Sequence, residues 1–216
     1  MKKLTLQFLL LFFGITSVAF AQENKAIALL NEVTATMSGY KNVKINFFST
    51  NSNKEAKIKN ADKTSGILYL EGEKYNLTYI TNFLFDGKKL YVINNDEKEI
   101  TTSEQDLSSD DGFIYPSKLF TFYKEGYNIK LGKTKTIKSK KIQFVNLIPI
   151  DSDSEIIKVT LAIDIKTKHI YQFIQLGKNG TSTTFTITSI QSNLNLPKTT
   201  FTFDETAYTE KGYIID

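Results

Sequence analysis

The sequence predicts a mainly β, single-domain protein: an unclosed antiparallel β-barrel, or strongly curved sheet, covered by a short helical lid. Two observations carry this reading. From residue 43 onward, apolar residues recur with period two in short segments separated by turns, amounting to about nine to eleven strands. Outside them, only two segments carry apolar residues at helical spacing. Strands joined by tight turns are antiparallel. A long meander twists and curls, and its open edges are a liability. Its concave face needs a cover, and the two amphipathic segments are the only candidates for one.

In chain order, residues 1–21 come first. Lys2 and Lys3 precede an apolar run, Leu4 to Val18, and Ala19-Phe20-Ala21 places small residues at the −3 and −1 positions of a cleavage site. This is the pattern of a secretory signal peptide, too short in its core for a permanent anchor. The expected mature domain is 22–216, starting at Gln22. No cysteine follows the run, so lipid attachment of the bacterial lipoprotein kind is excluded and no disulfide supports the fold. The expected product is exported, released and soluble.

The mature chain opens on an amphipathic helix with Ile27, Leu30, Val33 and Met37 on one face and Gly39 as its stop. Val43, Ile45 and Phe47 then alternate with polar residues. Ile67 to Leu70 follow Gly66, and Tyr75, Leu77 and Tyr79 share a face. Phe83–Phe85, Asp86-Gly87 and Leu90–Ile93 read as a hairpin. Thr101–Gly112 is polar, acidic and aperiodic, and is expected to be a loop. After Pro116, Leu119, Phe120 and Tyr123 form a short helical stripe ending at Gly126. Strands resume at Tyr127–Leu131 and Ile142–Ile150. Ile157 to Ile165 is the clearest alternation in the chain, and strands follow at His169–Leu176 and Thr183–Ile190. The tail carries Phe201 and Phe203 on one face and ends at Ile214-Ile215-Asp216.

Composition narrows the function. The chain has 27 basic and 23 acidic residues, and every basic residue is lysine. Loss of Lys2 and Lys3 with the signal peptide leaves the mature net charge at +2. Arginine is the usual bidentate reader of phosphate and guanine, so its absence argues against nucleic-acid partners. With one histidine, His169, and no cysteine, a zinc or copper site is not expected. Asp151, Asp153 and Glu155 match calcium-loop spacing in part but lack the central glycine and the closing glutamate. No phosphate loop or nucleophile elbow is present. The expectation is a non-enzyme with no metal and no cofactor. What remains is apolar: strand and helix faces that either fill a core or enclose a ligand pocket, which sequence alone does not distinguish.

Several segments, in order, resemble the LolA family of periplasmic outer-membrane-lipoprotein carriers. They are Gly66 to Leu70, the hairpin Phe85 to Asn94, Tyr127 to Lys130, His169 to Phe173, and the tail from Phe201-Thr202-Phe203 to Ile214-Ile215-Asp216. The opening helix and Phe47-Phe48 are similar to the family's first helix and strand. The resemblance implies a helical lid over an apolar cavity in an unclosed barrel. It also implies a monomeric periplasmic carrier that takes acylated lipoprotein cargo from an inner-membrane ABC transporter to an outer-membrane receptor. On it, Leu30, Val33, Leu119 and Phe120 are expected to face the cavity from the helices, and Phe47, Tyr75, Leu77 and Tyr79 from the sheet. The alternative is a binding protein for another lipid on the same fold. The sequence departs from the family at Glu71-Gly72-Glu73-Lys74-Tyr75, where better-known carriers have an Arg-Pro pair whose arginine holds the lid. Lid control by arginine does not carry over.

Overall fold

The computed structural model describes residues 22–59, 63–104 and 116–216. Residues 1–21, read above as a signal peptide, and residues 105–112 of the acidic stretch lie outside them. The chain forms one twelve-stranded sheet in the order β12-β6-β5-β4-β3-β2-β1-β11-β10-β9-β8-β7. Its strands are β1 Val43–Asn53, β2 Thr64–Glu71, β3 Lys74–Thr78, β4 Asn82–Phe85, β5 Lys89–Asn94, β6 Glu99–Glu104, β7 Tyr127–Ile137, β8 Lys140–Pro149, β9 Ile156–Asp164, β10 Ile170–Gly177, β11 Thr181–Ser192 and β12 Ile214–Ile215. Two meanders, β1 to β6 and β7 to β11, are joined where β1 pairs antiparallel with β11 along its whole length. Among the described residues no ladder connects β7 to the β6/β12 edge, and the sheet curls without closing into a barrel.

The hairpin read at Asp86-Gly87 is β4–β5, with Phe85 opposite Leu90. Gly87 takes φ +99°, and Asp86 Oδ1 accepts from the amides of Lys88 (2.8 Å) and Lys89 (2.9 Å). That side chain supplies the turn with a local acceptor. The loop expected from Thr101 is in part strand: β6 runs to Glu104, and its only buried apolar residue is Ile100. With no second buried apolar position, period two leaves no signal. Strand β12 pairs parallel to β6, the single parallel ladder among the described residues.

Helix α1 spans residues 22–38, and its amide at Gly39 closes on Ala35 O. Its buried seam is Ala26, Leu30, Val33 and Met37, whereas Ile27 is 36% exposed. Leu30, Val33 and Met37 are thus on the expected face, and Ala26 takes the place of Ile27 because it is the residue in phase with Leu30 and Val33 at 3.6 residues per turn. The stripe after Pro116 is not one helix but two 3-10 turns, Pro116–Lys118 and Phe122–Lys124. Leu119, Thr121 and Lys124 amides bond three residues back at 3.2, 2.8 and 3.0 Å. So short a segment gains little from α-helical propagation, and tight turns are the usual outcome. The tail from Phe201 is also not extended. It forms a 3-10 turn, Lys198–Phe201, and helix α2, Glu205–Glu210, capped by Asp204, which accepts from Ala207 N at 3.0 Å.

The core joins the α1 seam to the concave side of the sheet. Leu30, Val33, Ile45, Tyr75, Val145, Leu147, Val159, Leu161 and Ile163 are all at most 2% exposed. A salt bridge from Lys168 to Glu32 ties α1 to the β9–β10 turn.

Candidate functional site

Above this core lies a cavity of about 430 Å³ between the two halves of the sheet. Ile45 and Phe47 of β1, Leu68 of β2, Leu77 of β3 and Phe83 of β4 line one side. Ile170, Phe173 and Gln175 of β10 and Phe185 and Ile187 of β11 line the other. A register irregularity between Ile170 and Gln172 brings Ile170 and Phe173, three residues apart, onto the same wall. The β3–β4 turn contributes Tyr79, Ile80 and Thr81, and the segment between β6 and β7 contributes Pro116 and Leu119. Ile80 is 70% exposed, so it stands at the mouth.

Aromatic rings frame this space. Phe47 contacts Tyr79 at 5.6 Å and Phe185 at 5.9 Å between centroids. Phe185 meets Phe173 at 6.1 Å, and Phe173 meets Phe122 at 5.9 Å. These are the edge and tilted distances at which rings attract. Gly66 makes the arrangement possible, because a Cβ there would stand 2.3 Å from Phe47 Cζ. No charged side chain lines the cavity among the described residues. Tyr79 Oη is hydrogen-bonded to Ser49 Oγ at 2.5 Å.

The segment 116–124 is fastened to α1 by polar groups inside an apolar layer. Thr34 Oγ1 donates to Phe120 O at 2.8 Å. Tyr123 Oη lies 2.5 Å from Thr34 Oγ1 and 2.9 Å from Leu30 O. Thr34 and Tyr123 carry one hydroxyl proton each, so the two protons serve the contacts to Phe120 O and Leu30 O, and either group donates across the Thr34–Tyr123 contact only in place of one of these. Burial raises the Tyr123 hydroxyl pKa, partly offset by the Thr34 bond, so the group stays a neutral donor. At the Glu71-Gly72 turn, Glu71 Oε2 accepts from Asn42 Nδ2 at 3.4 Å, and Gly72 takes φ +60°.

Of the residues nominated from sequence, Phe47, Leu77, Tyr79 and Leu119 line the cavity. Leu30, Val33 and Tyr75 are wholly buried in the core beside it. Phe120 packs half-buried against that core and contributes its carbonyl to Thr34. The whole wall from β10 and β11 was not nominated. Its signal was present, since Phe173 and Phe185 sit in alternating strands, but nothing in sequence says that these strands face Phe47. Thr81 and Gln175 carry no periodic signal at all. His169 precedes β10, with Nε2 3.0 Å from Tyr40 Oη.

The arrangement can bury an apolar ligand beneath segment 116–124, and among the described residues its lining brings together no charged or histidine side chain. No protein-family model matches the chain, and no curated protein matches it by sequence. Solved structures do. An uncharacterized conserved protein from Thermus thermophilus superposes with a TM-score of 0.58 at 9% identity, over 85% of this chain and 96% of that one. A DUF1329 family protein from Desulfovibrio piger gives 0.50 at 8% identity, over 87% and 99%. A LolA superfamily protein from Nitrosomonas europaea gives 0.45 at 13% identity, over 83% and 98%. The unclosed twelve-stranded sheet, with α1 and segment 116–124 on its concave side, is the architecture implied by the sequence resemblance. The cavity occupies the place between this sheet and its cover.

Proposed function

We propose that the protein is a periplasmic carrier that buries lipoprotein acyl chains in this cavity and shuttles its cargo toward the outer membrane. The observation that carries the reading is the uncharged, aromatic-framed cavity under a flap made of two 3-10 turns. Each Å² of acyl surface withdrawn from water contributes about 25 cal/mol. The flap offsets part of that gain, because the empty protein must first break its own contacts to open, which lowers the apparent affinity and permits release. In this reading an inner-membrane ABC transporter loads the cargo and an outer-membrane receptor accepts it. The signal peptide is cleaved after Ala21, and the protein needs no cofactor. Intact-mass measurement of the exported protein tests the processing: a lipidated or uncleaved form would overturn it.

A second reading is favoured by one observation. The cavity, at about 430 Å³, lies low in the range of about 300–1,000 Å³ usual for small-ligand sites. A single-chain lipid fits that volume with the flap closed, whereas a triacylated cargo requires it open. Mass spectrometry of an organic extract of the purified protein, run beside a release assay on inner-membrane vesicles, separates the two. Lipoprotein released from vesicles supports the carrier. Bound free lipid with no release of lipoprotein overturns it in favour of the second reading.

A further inference from the structure

The cavity has two chemically different ends. Strands β1, β3 and β10 run in the same direction, since β1 and β10 are each antiparallel to β11 and β1 and β3 are each antiparallel to β2. The residues that follow β3, Tyr79 to Thr81, therefore lie at the same end as Gln175 near the end of β10. The ladder fixes the level: Ser49 is opposite Phe185, Phe185 is opposite Phe173, and Gln175 is two residues beyond. At the other end, Ile45 is paired with Leu68, and Ile170 closes the wall, with no polar side chain between them.

Two side chains at the polar end have no hydrogen-bond partner among the described residues. Tyr79 uses its hydroxyl on Ser49. Thr81 and Gln175 are half-buried, line the cavity, and make no side-chain hydrogen bond with the described residues. A hydroxyl and an amide offer both donors and acceptors. Among the described residues, no lysine, aspartate or glutamate accompanies them in the lining. Such a site can pair an ester or amide head, but it leaves an ionised carboxylate or phosphate without a counter-charge, and desolvating an unpaired ion is costly.

We propose that the cavity takes an acyl chain tail-first and holds an uncharged, ester- or amide-linked head at Thr81 and Gln175, discriminating against ionised heads. This rests on the acyl-binding reading above and narrows it. The test is displacement of a fluorescent acyl probe from the mature protein by monopalmitoylglycerol and by palmitate, both below their micelle concentrations at neutral pH. Monopalmitoylglycerol is expected to bind about tenfold or more tighter, equivalent to about 1.4 kcal/mol. In a Thr81→Val/Gln175→Leu variant that advantage should disappear, through weaker binding of the glyceride with palmitate unchanged. Equal binding of the two ligands to the native protein overturns the head assignment but leaves acyl binding standing. An advantage that survives in a folded variant also overturns it. If neither ligand displaces the probe, acyl binding itself fails and the head assignment falls with it.

Discussion

Tyr123 is 2% exposed, and its hydroxyl reaches both Leu30 O and Thr34 on α1. Its ring also meets Phe122 edge-on at 5.5 Å. Replacing it by phenylalanine keeps the ring and removes the fastening. A neutral hydrogen bond contributes about 0.5–1.5 kcal/mol, so Tyr123→Phe should lower Tm by about 2–5 °C in a domain of this size. The same change should speed dissociation of a bound acyl probe, measured by stopped flow, because the flap is what it loosens. An unchanged dissociation rate with a lowered Tm would make Tyr123 a core residue only. His169 gives a second residue-scale expectation. Burial lowers its pKa below the ordinary 6.5, with Asp164 opposing and Lys140 adding to the shift. The unfolded chain therefore binds a proton at pH values where the folded one does not. Its contribution to stability is present above about 6.5 and is lost as pH falls from there toward the folded value. Urea melts across that window should show stability declining with pH, and His169→Gln should flatten the decline.

At the scale of elements, strands with a period-two pattern in sequence were legible. The β4–β5 hairpin and the Ile157 to Ile165 alternation match β4, β5 and β9 in position, although β9 is buried on both faces from Val159 to Asp164 and Ile157 is exposed. Elements that gain stability from a neighbour and not from their own pattern were not legible. β6 is held by its ladder with β5 and β12 by its ladder with β6, and segment 116–124 is shaped by Thr34 and by the sheet beneath it. Half of the nominated site lines the cavity, because period two gives a face but not which faces meet across a curved sheet. Gly66 was read only as the start of a strand, yet it is the space that Phe47 occupies. Gly66→Ala must swing that ring, and its free side is the cavity that it lines. The expected outcome is weaker probe binding with a small change in Tm, since the ring tip moves more easily than backbone. On the flap, Leu119→Glu should abolish probe binding while leaving the melt largely intact, because the carboxylate enters an uncharged cavity. Val33→Glu, in the fully buried α1 seam, should instead prevent folding. If both variants melt alike, the flap is part of the core.

For the whole molecule, an unclosed sheet leaves two edges, and the chain treats them differently. The β7 edge carries exposed Lys130, Lys133 and Lys135, charges that discourage a second strand from docking. The β6 edge has no such row. It is covered by the tail, where Asp216 O accepts from Thr102 N at 2.9 Å and Ile214 and Ile215 pair along Glu99 and Ile100. A stack of rings positions that tail: Tyr91 on Phe203 at 4.0 Å, Phe203 on Tyr208 at 5.2 Å, and Tyr208 against Tyr213 at 5.1 Å. Asn76 Nδ2 donates to Thr200 O at 2.8 Å and fixes its start. Removing residues 212–216 takes away the two-residue strand and uncovers the backbone groups of β6. The truncated protein should then self-associate through that edge, seen as a concentration-dependent increase in sedimentation coefficient, while the intact chain stays monomeric. Neither β6 nor the tail lines the cavity, so probe binding per chain should be unchanged in the truncated form. A truncated protein that remains monomeric would show that the tail is not needed to protect the edge. One that loses probe binding while still folded would show that the curvature holding the cavity open depends on the tail.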